Sequence, residues 1–181
     1  MLGRDDWIAA ARLMLIESGV DGVKVDLISR ALKVTRGSFY WHFRDRADLL
    51  DALLADWEET NDGPMVAAFR AAGANGDRAD FDRMISPLWI EEKGYSPAYD
   101  SAMRDWGRTD PKVAEAVKRS DAARITALAE TFGAYGFAEP EATVRARVTY
   151  YHQVGYYLLG VYETREERER LGPVFDHVLL Y

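Results

Sequence analysis

Residues 25–50 have the sequence VDLISRALKVTRGSFYWHFRDRADLL, which predicts two short helices joined by a tight turn and followed by the start of a third. Ile28, Ala31 and Leu32 follow the i, i+3, i+4 spacing of one buried helical stripe. Thr35 then has a side chain that favours the N-cap of a helix. The stretch therefore predicts a helix-turn-helix.

The second helix of this pair is expected to have two different sides. Phe39 and Phe43 are spaced i, i+4 and fall on one side, where they can pack together. The other side carries hydrogen-bond donors and amphipathic aromatic rings between residues 36 and 42. A helix that lies in the major groove of DNA needs a buried side behind it and donors in front. This arrangement predicts DNA binding.

The same segment closely resembles the helix-turn-helix signature of TetR-family transcriptional regulators. The resemblance rests on VTRGSFYWHF at residues 34–43, on Arg46 and on the pair Leu49 and Leu50. In that family a small hydroxyl residue opens the recognition helix, a Tyr and a His-Phe pair close it, and a basic residue begins the fourth helix. The resemblance implies an all-α fold, with an N-terminal three-helix helix-turn-helix DNA-binding domain followed by a six-helix effector-binding and dimerisation domain.

The composition fits a globular protein and excludes several kinds of site. The 181 residues include no cysteine, which excludes disulfides, thiolate metal sites and cysteine nucleophiles. No apolar run approaches the roughly 20 residues of a membrane span, and the first four residues are not typical of a signal peptide. We therefore expect a cytoplasmic protein without a membrane segment.

The acidic side chains lie mostly outside the predicted DNA-binding segment. The whole chain has a formal net charge of −7. Residues 1–50 carry eight basic and seven acidic side chains, a net charge of +1, and the remainder carries −8. Such weak attraction to phosphates predicts weak non-specific binding, with affinity resting on a few placed contacts.

Capping residues and helix breakers divide the chain into helices, and no segment has the pattern of a strand. The expected helices are helix one over residues 5–18, the helix-turn-helix pair within 25–43, a fourth helix that Asp45 caps and that extends to about residue 72, a fifth opened by Asp77, a sixth around residues 99–106, a seventh opened by Asp110 and Pro111 and ending near residue 135, an eighth opened by Pro140 and ending near Gly160, and a last helix opened by the capping box at Thr164 and ending near Tyr181. We place the DNA-binding domain at residues 1–46 and the ligand-binding and dimerisation domain at residues 47–181.

Ten residues are candidates for contacting DNA: Lys24, Lys33, Thr35, Arg36, Gly37, Ser38, Tyr40, Trp41, His42 and Arg46. Arg36 and Ser38 lie in the first turn of the recognition helix, where side chains reach base edges, and Arg36 can donate to a guanine for about 1–3 kcal/mol of discrimination. Tyr40 and His42 match residues that donate to phosphates in the family. An alternative is that Tyr40 and Trp41 only pack the DNA-binding domain against the rest of the protein.

The entry side of the helix-turn-helix departs from the family pattern at three positions. Lys24 replaces a capping Thr, so a hydrogen bond of about 1 kcal/mol is expected to be missing, although a phosphate contact could replace it. Lys33 replaces a turn Gly and is strained by about 1–2 kcal/mol if that position requires a positive φ. Asp26 could accept from a cytosine amino group or repel phosphate. Beyond the turn, Arg46 is expected to bind a phosphate with help from the helix dipole.

The resemblance also implies a pocket for a small effector and a dimer interface in the second domain. Candidates for the pocket combine apolar bulk with a few polar tips, although aromatic residues at helical spacing are also typical of plain core; they are Trp89, Met103, Trp106, Tyr150, Gln153 and Tyr157. Candidates for the interface form apolar stripes on the last two helices; they are Val148, Tyr151, Gly155, Leu158, Phe175, Val178 and Leu179.

Taken together, these features predict a homodimeric, ligand-responsive DNA-binding transcriptional regulator that represses by binding a palindromic operator and releases it on binding a small molecule. An alternative is a ligand- or partner-binding protein with a weakened DNA-binding head. An enzyme is least favoured, because His42, His152 and His177 lack metal-ligand spacing and no nucleophile motif is present. We expect neither a cofactor nor a metal.

Overall fold

The computed structural model describes residues 2–160 and 163–181. Over these residues the protein is all-α, as predicted, and contains no strand. The helices are α1 (Arg4–Ser18), α2 (Val25–Ala31), α3 (Arg36–Phe39), α4 (Arg46–Trp57), α5 (Gly63–Gly73), α6 (Ala79–Trp89), α7 (Pro97–Gly107), α8 (Pro111–Ala134), α9 (Glu141–Leu158) and α10 (Arg165–Leu180). None of these helices is long and apolar enough to cross a membrane.

Capping residues set the starts of several helices where the sequence predicts them. The Asp45 carboxylate accepts from the backbone N–H of Asp48 at 2.9 Å and so caps α4. The Asp110 carboxylate accepts from two N–H groups in the first turn of α8. Thr164 and Glu167 form the predicted capping box at the start of α10. Each cap of this kind stabilises a helix by about 1 kcal/mol.

The predicted fourth helix is divided by a π-helical turn. Residues Glu58–Asp62 adopt this turn between α4 and α5. Pro64 follows in the first turn of α5. Because proline has no N–H to donate to the carbonyl four residues earlier, the α-helical hydrogen-bond pattern cannot pass through it unchanged. The sequence predicts the extent of the helical segment but not this change of register.

The described chain forms two compact units. Unit 1 consists of Met1–Asn61 and Ala98–Val117, and unit 2 of Asp62–Pro97 and Lys118–Tyr181. The predicted boundary after residue 46 falls inside unit 1, because α4 and α7 belong to the same core as the helix-turn-helix. The division of function at that boundary remains a prediction.

Unit 1 has a large aromatic core that supports the helix-turn-helix. Trp7, Phe39 and Trp57 are fully buried in it. At its edge, Arg12 donates two hydrogen bonds to Asp56, from Nε at 3.0 Å and from Nη2 at 2.6 Å. The Tyr99 hydroxyl also donates to Asp56, at 3.0 Å. These contacts connect α1, α4 and α7 and fix the frame on which α2 and α3 lie.

Unit 2 contains a second core, built by α5, α6, α8 and α9. Its most buried charge is Arg124, which has no exposed surface. The Arg124 Nε lies 2.9 Å from the Asp62 carboxylate, which also accepts from the Ser120 hydroxyl at 2.6 Å. Breaking such a buried pair by removing one partner is strongly destabilising, because it leaves an uncompensated charge.

Candidate DNA-binding surface and ligand cavity

The recognition helix is a single turn, Arg36–Phe39, that continues as a hydrogen-bonded turn to Phe43. Thr35 occupies the N-cap position in an extended conformation, although its side chain makes no capping hydrogen bond. The backbone N–H groups of His42 and Phe43 both donate to the carbonyl of Phe39, at 2.9 and 3.0 Å. The tight turn therefore presents residues 36–42 as one short segment.

The buried side of this segment is aromatic, as predicted. Phe39 is 0% exposed and Phe43 is 2% exposed. Their rings stack with centroids 5.3 Å apart, and the Trp7 ring meets Phe39 edge-on at 5.4 Å. The guanidinium of Arg4 covers the Phe43 ring at 4.8 Å. Aromatic pairs of this kind stabilise a core beyond the area they bury, so the segment has a rigid base.

The outer side of the segment is open to solvent. Trp41 is 83% exposed and Tyr40 is 53% exposed. Thr35, Arg36 and Gly37 are exposed as well. An indole this exposed belongs to no core, so its placement favours a contact with a partner over a packing role. Ser38 and His42 are partly buried on the flanks.

Arg36, the main candidate for reading a base, has two partners within the helix-turn-helix. Its Nη1 lies 3.4 Å from the Asp26 carboxylate, and its Nη2 lies 3.5 Å from the Tyr40 hydroxyl. The hydrogen bond with Tyr40 and then the charge of Asp26 raise the pKa of Arg36. Asp26 therefore lies beside the base-reading candidate rather than isolated on α2.

The two lysines on the entry side occupy the two ends of α2. Lys24 is the N-cap of α2 and makes no side-chain capping bond. Lys33 has a φ of 57°, the left-handed conformation for which the family pattern uses Gly. The N–H of Lys33 donates to the carbonyl of Arg30, and the N–H of Val34 donates to that of Ser29. This is a Schellman ending of α2, and it requires the positive φ.

Arg46 has a structural role that the sequence does not suggest. Its Nε donates to the carbonyl of Val23 at 2.6 Å, and its Nη2 donates to the carbonyl of Val20 at 2.5 Å. The guanidinium thus attaches the loop between α1 and α2 to the start of α4. A phosphate contact from Arg46 remains a prediction that would have to use its remaining donors.

Unit 2 contains a cavity of about 110 Å³ between α6, α9 and α10. Three of the six pocket candidates line it, namely Trp89, Gln153 and Tyr157. The remaining wall residues are Phe81, Asp82, Ile85, Ser86, Ile90, His152, Tyr156, Glu163, Arg168, Gly172, Phe175, Asp176 and Leu179. The α10 members of the wall recur at helical spacing; the sequence predicts two of them, Phe175 and Leu179, for the dimer interface and none for the pocket.

The other three pocket candidates lie in the cores. Met103 and Trp106 are buried in the core of unit 1. Tyr150 is buried in the core of unit 2, where its hydroxyl donates to Asp121 at 2.5 Å. For these three, plain core packing accounts for their position.

Several polar groups in the cavity wall have unusual surroundings. The amide nitrogen and oxygen of Gln153 and the indole nitrogen of Trp89 are buried and have no hydrogen-bond partner among residues 2–160 and 163–181. The Tyr157 hydroxyl donates to the Trp89 carbonyl at 3.2 Å, and burial raises the pKa of Tyr157. Burial and the nearby charge of Asp82 raise the pKa of Asp176 to about 6. Within the described residues, no group of three potential ligands is placed to hold a metal ion.

The candidates for the dimer interface form an apolar surface on α9 and α10. Val148, Tyr151, Leu158 and Val178 each have more than half of their surface exposed. Phe175 is 39% exposed, while Gly155 and Leu179 are partly buried. Val144 and Val174, which are not among the predicted interface residues, are exposed on the same two helices.

Comparisons with known proteins agree with this geometry at the helix-turn-helix. Residues 8–53 match the sequence model of the family described as "Bacterial regulatory proteins, tetR family". The HTH-type transcriptional regulator AcrR of Shigella flexneri is 33% identical over 70 residues, which are 38% of this chain and 31% of that protein. TtgR of Pseudomonas putida, another HTH-type transcriptional regulator, is 40% identical over 55 residues, 30% of this chain and 26% of that protein. The aligned segment thus spans about a third or less of these relatives.

A crystal structure of BioQ with its double-stranded DNA operator aligns with 99% of this chain and 98% of that chain, at 22% identity and a TM-score of 0.37. This similarity is too distant to support an inference about the present protein. The helix-turn-helix signature, its buried aromatic base and the match over residues 8–53 show that this segment is a helix-turn-helix of the kind found in the tetR family of bacterial regulatory proteins.

Proposed function

We propose that this chain is a homodimeric transcriptional repressor of the cytoplasm, which binds an operator through residues 24–46 and leaves it when a small molecule binds in unit 2. The observation that carries the proposal is the two-sided recognition segment. Phe39 and Phe43 are buried beneath it, while Arg36, Tyr40 and Trp41 are exposed on it. An exposed indole and phenol beside an arginine, on a rigid base, are typical of a surface that binds a macromolecular partner.

The outer side has the chemistry for both kinds of DNA contact. Arg36 supplies a planar set of donors that matches the major-groove edge of guanine. Tyr40 and His42 supply neutral donors that suit phosphate oxygens. The exposed Lys24 and Lys33 flank the segment on the side of α2 and add charge for phosphates. Few residues would read the base sequence of the operator, so replacement of any one of them should weaken operator binding strongly.

A dimer is supported by the exposed apolar surface of α9 and α10. Val144, Val148 and Tyr151 follow one another at helical spacing on α9, and Val174 and Val178 do so on α10. Two copies related by two-fold symmetry would bury this surface as a four-helix contact. A two-fold dimer presents two recognition segments, which requires an operator with inverted half-sites.

Release by a ligand is supported by the double role of α10. Phe175 and Asp176 line the cavity, while Val174 and Val178 lie on the exposed apolar surface. A ligand that changes the position of α10 would therefore change the proposed dimer contact. The ligand would shift the population toward a dimer whose recognition segments no longer match the operator.

The proposal is tested by binding of the full chain to a duplex selected from random DNA, followed by fluorescence anisotropy. Affinity should fall steeply with salt, and Arg36→Ala should reduce it by about tenfold or more because a base contact is lost. Tyr40→Phe should also weaken binding. Equal binding to selected and scrambled duplexes, or an affinity that neither substitution changes, would contradict the proposal.

The second candidate is a ligand- or partner-binding protein with a weakened DNA-binding head. It is favoured by the contact of Arg36 with Asp26 and by the strained backbone at Lys33. The two candidates differ in one result: a thermal shift with small molecules, combined with no selection of any DNA sequence, supports the second.

A further inference from the structure

The cavity in unit 2 contains a carboxylate without a partner. Asp176 on α10 is half-buried, and no hydrogen bond or ion pair to it is found among the described residues. The charge that acts on it is another carboxylate, Asp82 on α6. Carboxylates that are removed from water are ordinarily paired with a cation or supplied with hydrogen bonds. Asp176 therefore lacks a positive partner that a ligand could supply.

The other charged groups that line the cavity do not supply this partner. Arg168 on α10 donates to the Trp89 carbonyl at 3.1 Å and lies 3.4 Å from the Glu92 carboxylate. This guanidinium therefore already has a carboxylate partner outside the cavity wall, although its buried Nε has no hydrogen-bond partner among the described residues. Glu163 adds a third carboxylate to a wall that also includes Asp82 and Asp176, so the carboxylates outnumber the one guanidinium. The cavity consequently favours a cation over an anion.

His152 on α9 is the remaining titratable group in this part of the wall apart from the tyrosines. Its ring lies against that of Phe175, with centroids 4.7 Å apart. This imidazole and the guanidinium of Arg168 are outnumbered by the three carboxylates of the wall, which therefore keeps its negative character.

The cavity also contains an amide without partners. Gln153 is 4% exposed, and neither its amide nitrogen nor its amide oxygen has a hydrogen-bond partner in the part of the chain that the structure describes. Leaving buried polar groups unpaired costs about 1–3 kcal/mol. The amide oxygen can accept from an ammonium or hydroxyl group, and the amide nitrogen can donate to an oxygen. A polar ligand in the cavity would recover this cost.

Much of the remaining wall is aromatic. The rings of Phe81 and Trp89 meet edge-on with centroids 6.1 Å apart, and those of Tyr156 and Tyr157 do so at 5.2 Å. Aromatic faces attract organic cations through the ring quadrupole and also bury apolar groups. Rings beside an unpaired carboxylate form the combination that recognises an organic amine.

We propose that the cavity binds a small aromatic or alkyl amine, with its ammonium group paired with Asp176 and its apolar body among Phe81, Trp89 and Tyr157. This inference rests on the proposed function, in that it names the chemical class of the effector. Gln153 supplies the directional hydrogen bonds that distinguish ligands within the class.

The test uses three probes that share one apolar body and differ in the terminal group: 4-phenylbutylamine, 4-phenylbutan-1-ol and 4-phenylbutanoate. Calorimetric titration of the full chain without DNA, at about pH 7.5, should show the amine binding at least about tenfold more tightly than the alcohol, because only the amine pairs with the carboxylate. The carboxylate probe should bind more weakly than the alcohol.

Asp176→Asn should bring the amine within about threefold of the alcohol and leave the affinity for the alcohol unchanged, because only the charge pair is lost. Glu169→Gln is the matched control, because it removes the same charge from α10. Glu169 is exposed, pairs with Arg165 and does not line the cavity. This control should keep the preference for the amine.

Three results would overturn the proposal: no binding of any probe, tightest binding of the carboxylate probe, or a preference for the amine that Asp176→Asn leaves intact. These results say nothing about DNA, because the titration contains none. Conversely, failure of the selected duplex to bind the unliganded protein would overturn the proposed function but would not contradict the proposal of an amine site.

Discussion

The guanidinium of Arg36 lies 3.4 Å from the carboxylate of Asp26, so the side chain best placed to read a base is already paired within the helix-turn-helix. Both side chains are more than half exposed, and an exposed pair of this kind contributes at most about 1 kcal/mol. DNA can therefore displace it, but at a cost in affinity. Asp26 also holds a negative charge near the phosphates that would flank the recognition segment.

Replacement of Asp26 by Asn should strengthen binding to the operator by about three- to tenfold, because it frees Arg36 and removes repulsion of phosphate. Anisotropy titration of the selected duplex measures this gain. The gain should shrink in an Arg36→Ala background if it acts through Arg36. Asp105→Asn, which breaks an exposed pair with Arg108, is the control and should change little. Weaker operator binding by Asp26→Asn would show that the carboxylate contacts DNA favourably.

Replacement of Lys33 by Gly should stabilise the protein by about 1 kcal/mol, because φ is 57° at this position and glycine adopts that conformation without a steric penalty. Denaturant unfolding measures the change. Lys33→Ala removes the same charge but keeps the strain, so it should not raise the free energy of unfolding. Equal stabilisation by both variants would assign the effect to charge rather than to backbone conformation.

Replacement of Gly37 by Ala should separate folding from DNA binding. A Cβ at this position would meet only the Thr35 hydroxyl oxygen at 3.7 Å, an ordinary contact, and alanine favours a helix by about 1 kcal/mol over glycine. The unfolding midpoint should therefore stay or rise. Affinity for the operator should fall, because the added methyl group keeps the backbone from the groove. Unchanged affinity would remove Gly37 from the DNA-binding surface.

Replacement of Arg46 by Met should lower the free energy of unfolding by about 1–2 kcal/mol, because the carbonyls of Val20 and Val23 lose their charged donor. The matched variant Arg36→Met makes the same substitution at an exposed arginine of the recognition segment and should leave the free energy of unfolding nearly unchanged. Unfolding curves of the two variants give the comparison. If Arg46→Met retained full stability and lost only DNA affinity, phosphate binding would be its main role.

Replacement of Asp176 by Asn should stabilise the protein in a pH-dependent way. Burial and Asp82 raise the pKa of Asp176 to about 6, above the ordinary 3.8. The folded state therefore holds this proton more tightly than the unfolded state, and wild-type stability is lost as pH rises from about 4 to about 6. The advantage of the variant should grow over that window and then level off.

Unfolding of wild type and Asp176→Asn at matched pH values isolates this effect from Asp82, His152, Glu163 and Arg168, which both proteins share. Glu169→Gln should show no such dependence. An advantage that is constant from about pH 4 to 7 would mean that Asp176 keeps its ordinary pKa.

The sequence predicts those parts of the fold that local chemistry decides. Asp45, Asp110 and Thr164 set helix starts through hydrogen bonds to neighbours two or three residues away, and such short-range patterns are visible in a sequence. The sequence leaves the backbone conformation of Lys33 open, and its φ of 57° is the positive value under which strain is expected.

Contacts between distant segments are not predicted. Arg46 reaches the carbonyls of Val20 and Val23, and nothing in its own surroundings along the chain indicates this. Met103 and Trp106 have side chains of the kind that line pockets, but they lie in the core of unit 1. The sequence does not distinguish the two positions, because apolar spacing does not reveal which side of a helix lines a cavity. Asp176 is not predicted as a pocket residue either, because the sequence does not show that its side of α10 lines a cavity.

The most direct test of the central claim is selection of bound sequences from random duplex DNA by the full chain, with Arg36→Ala selected in parallel. The account predicts enrichment of one motif with two inverted half-sites by the wild type, and loss or relaxation of that motif by Arg36→Ala. A pool that stays random, or an enriched motif without two-fold symmetry that Arg36→Ala selects equally well, would contradict it.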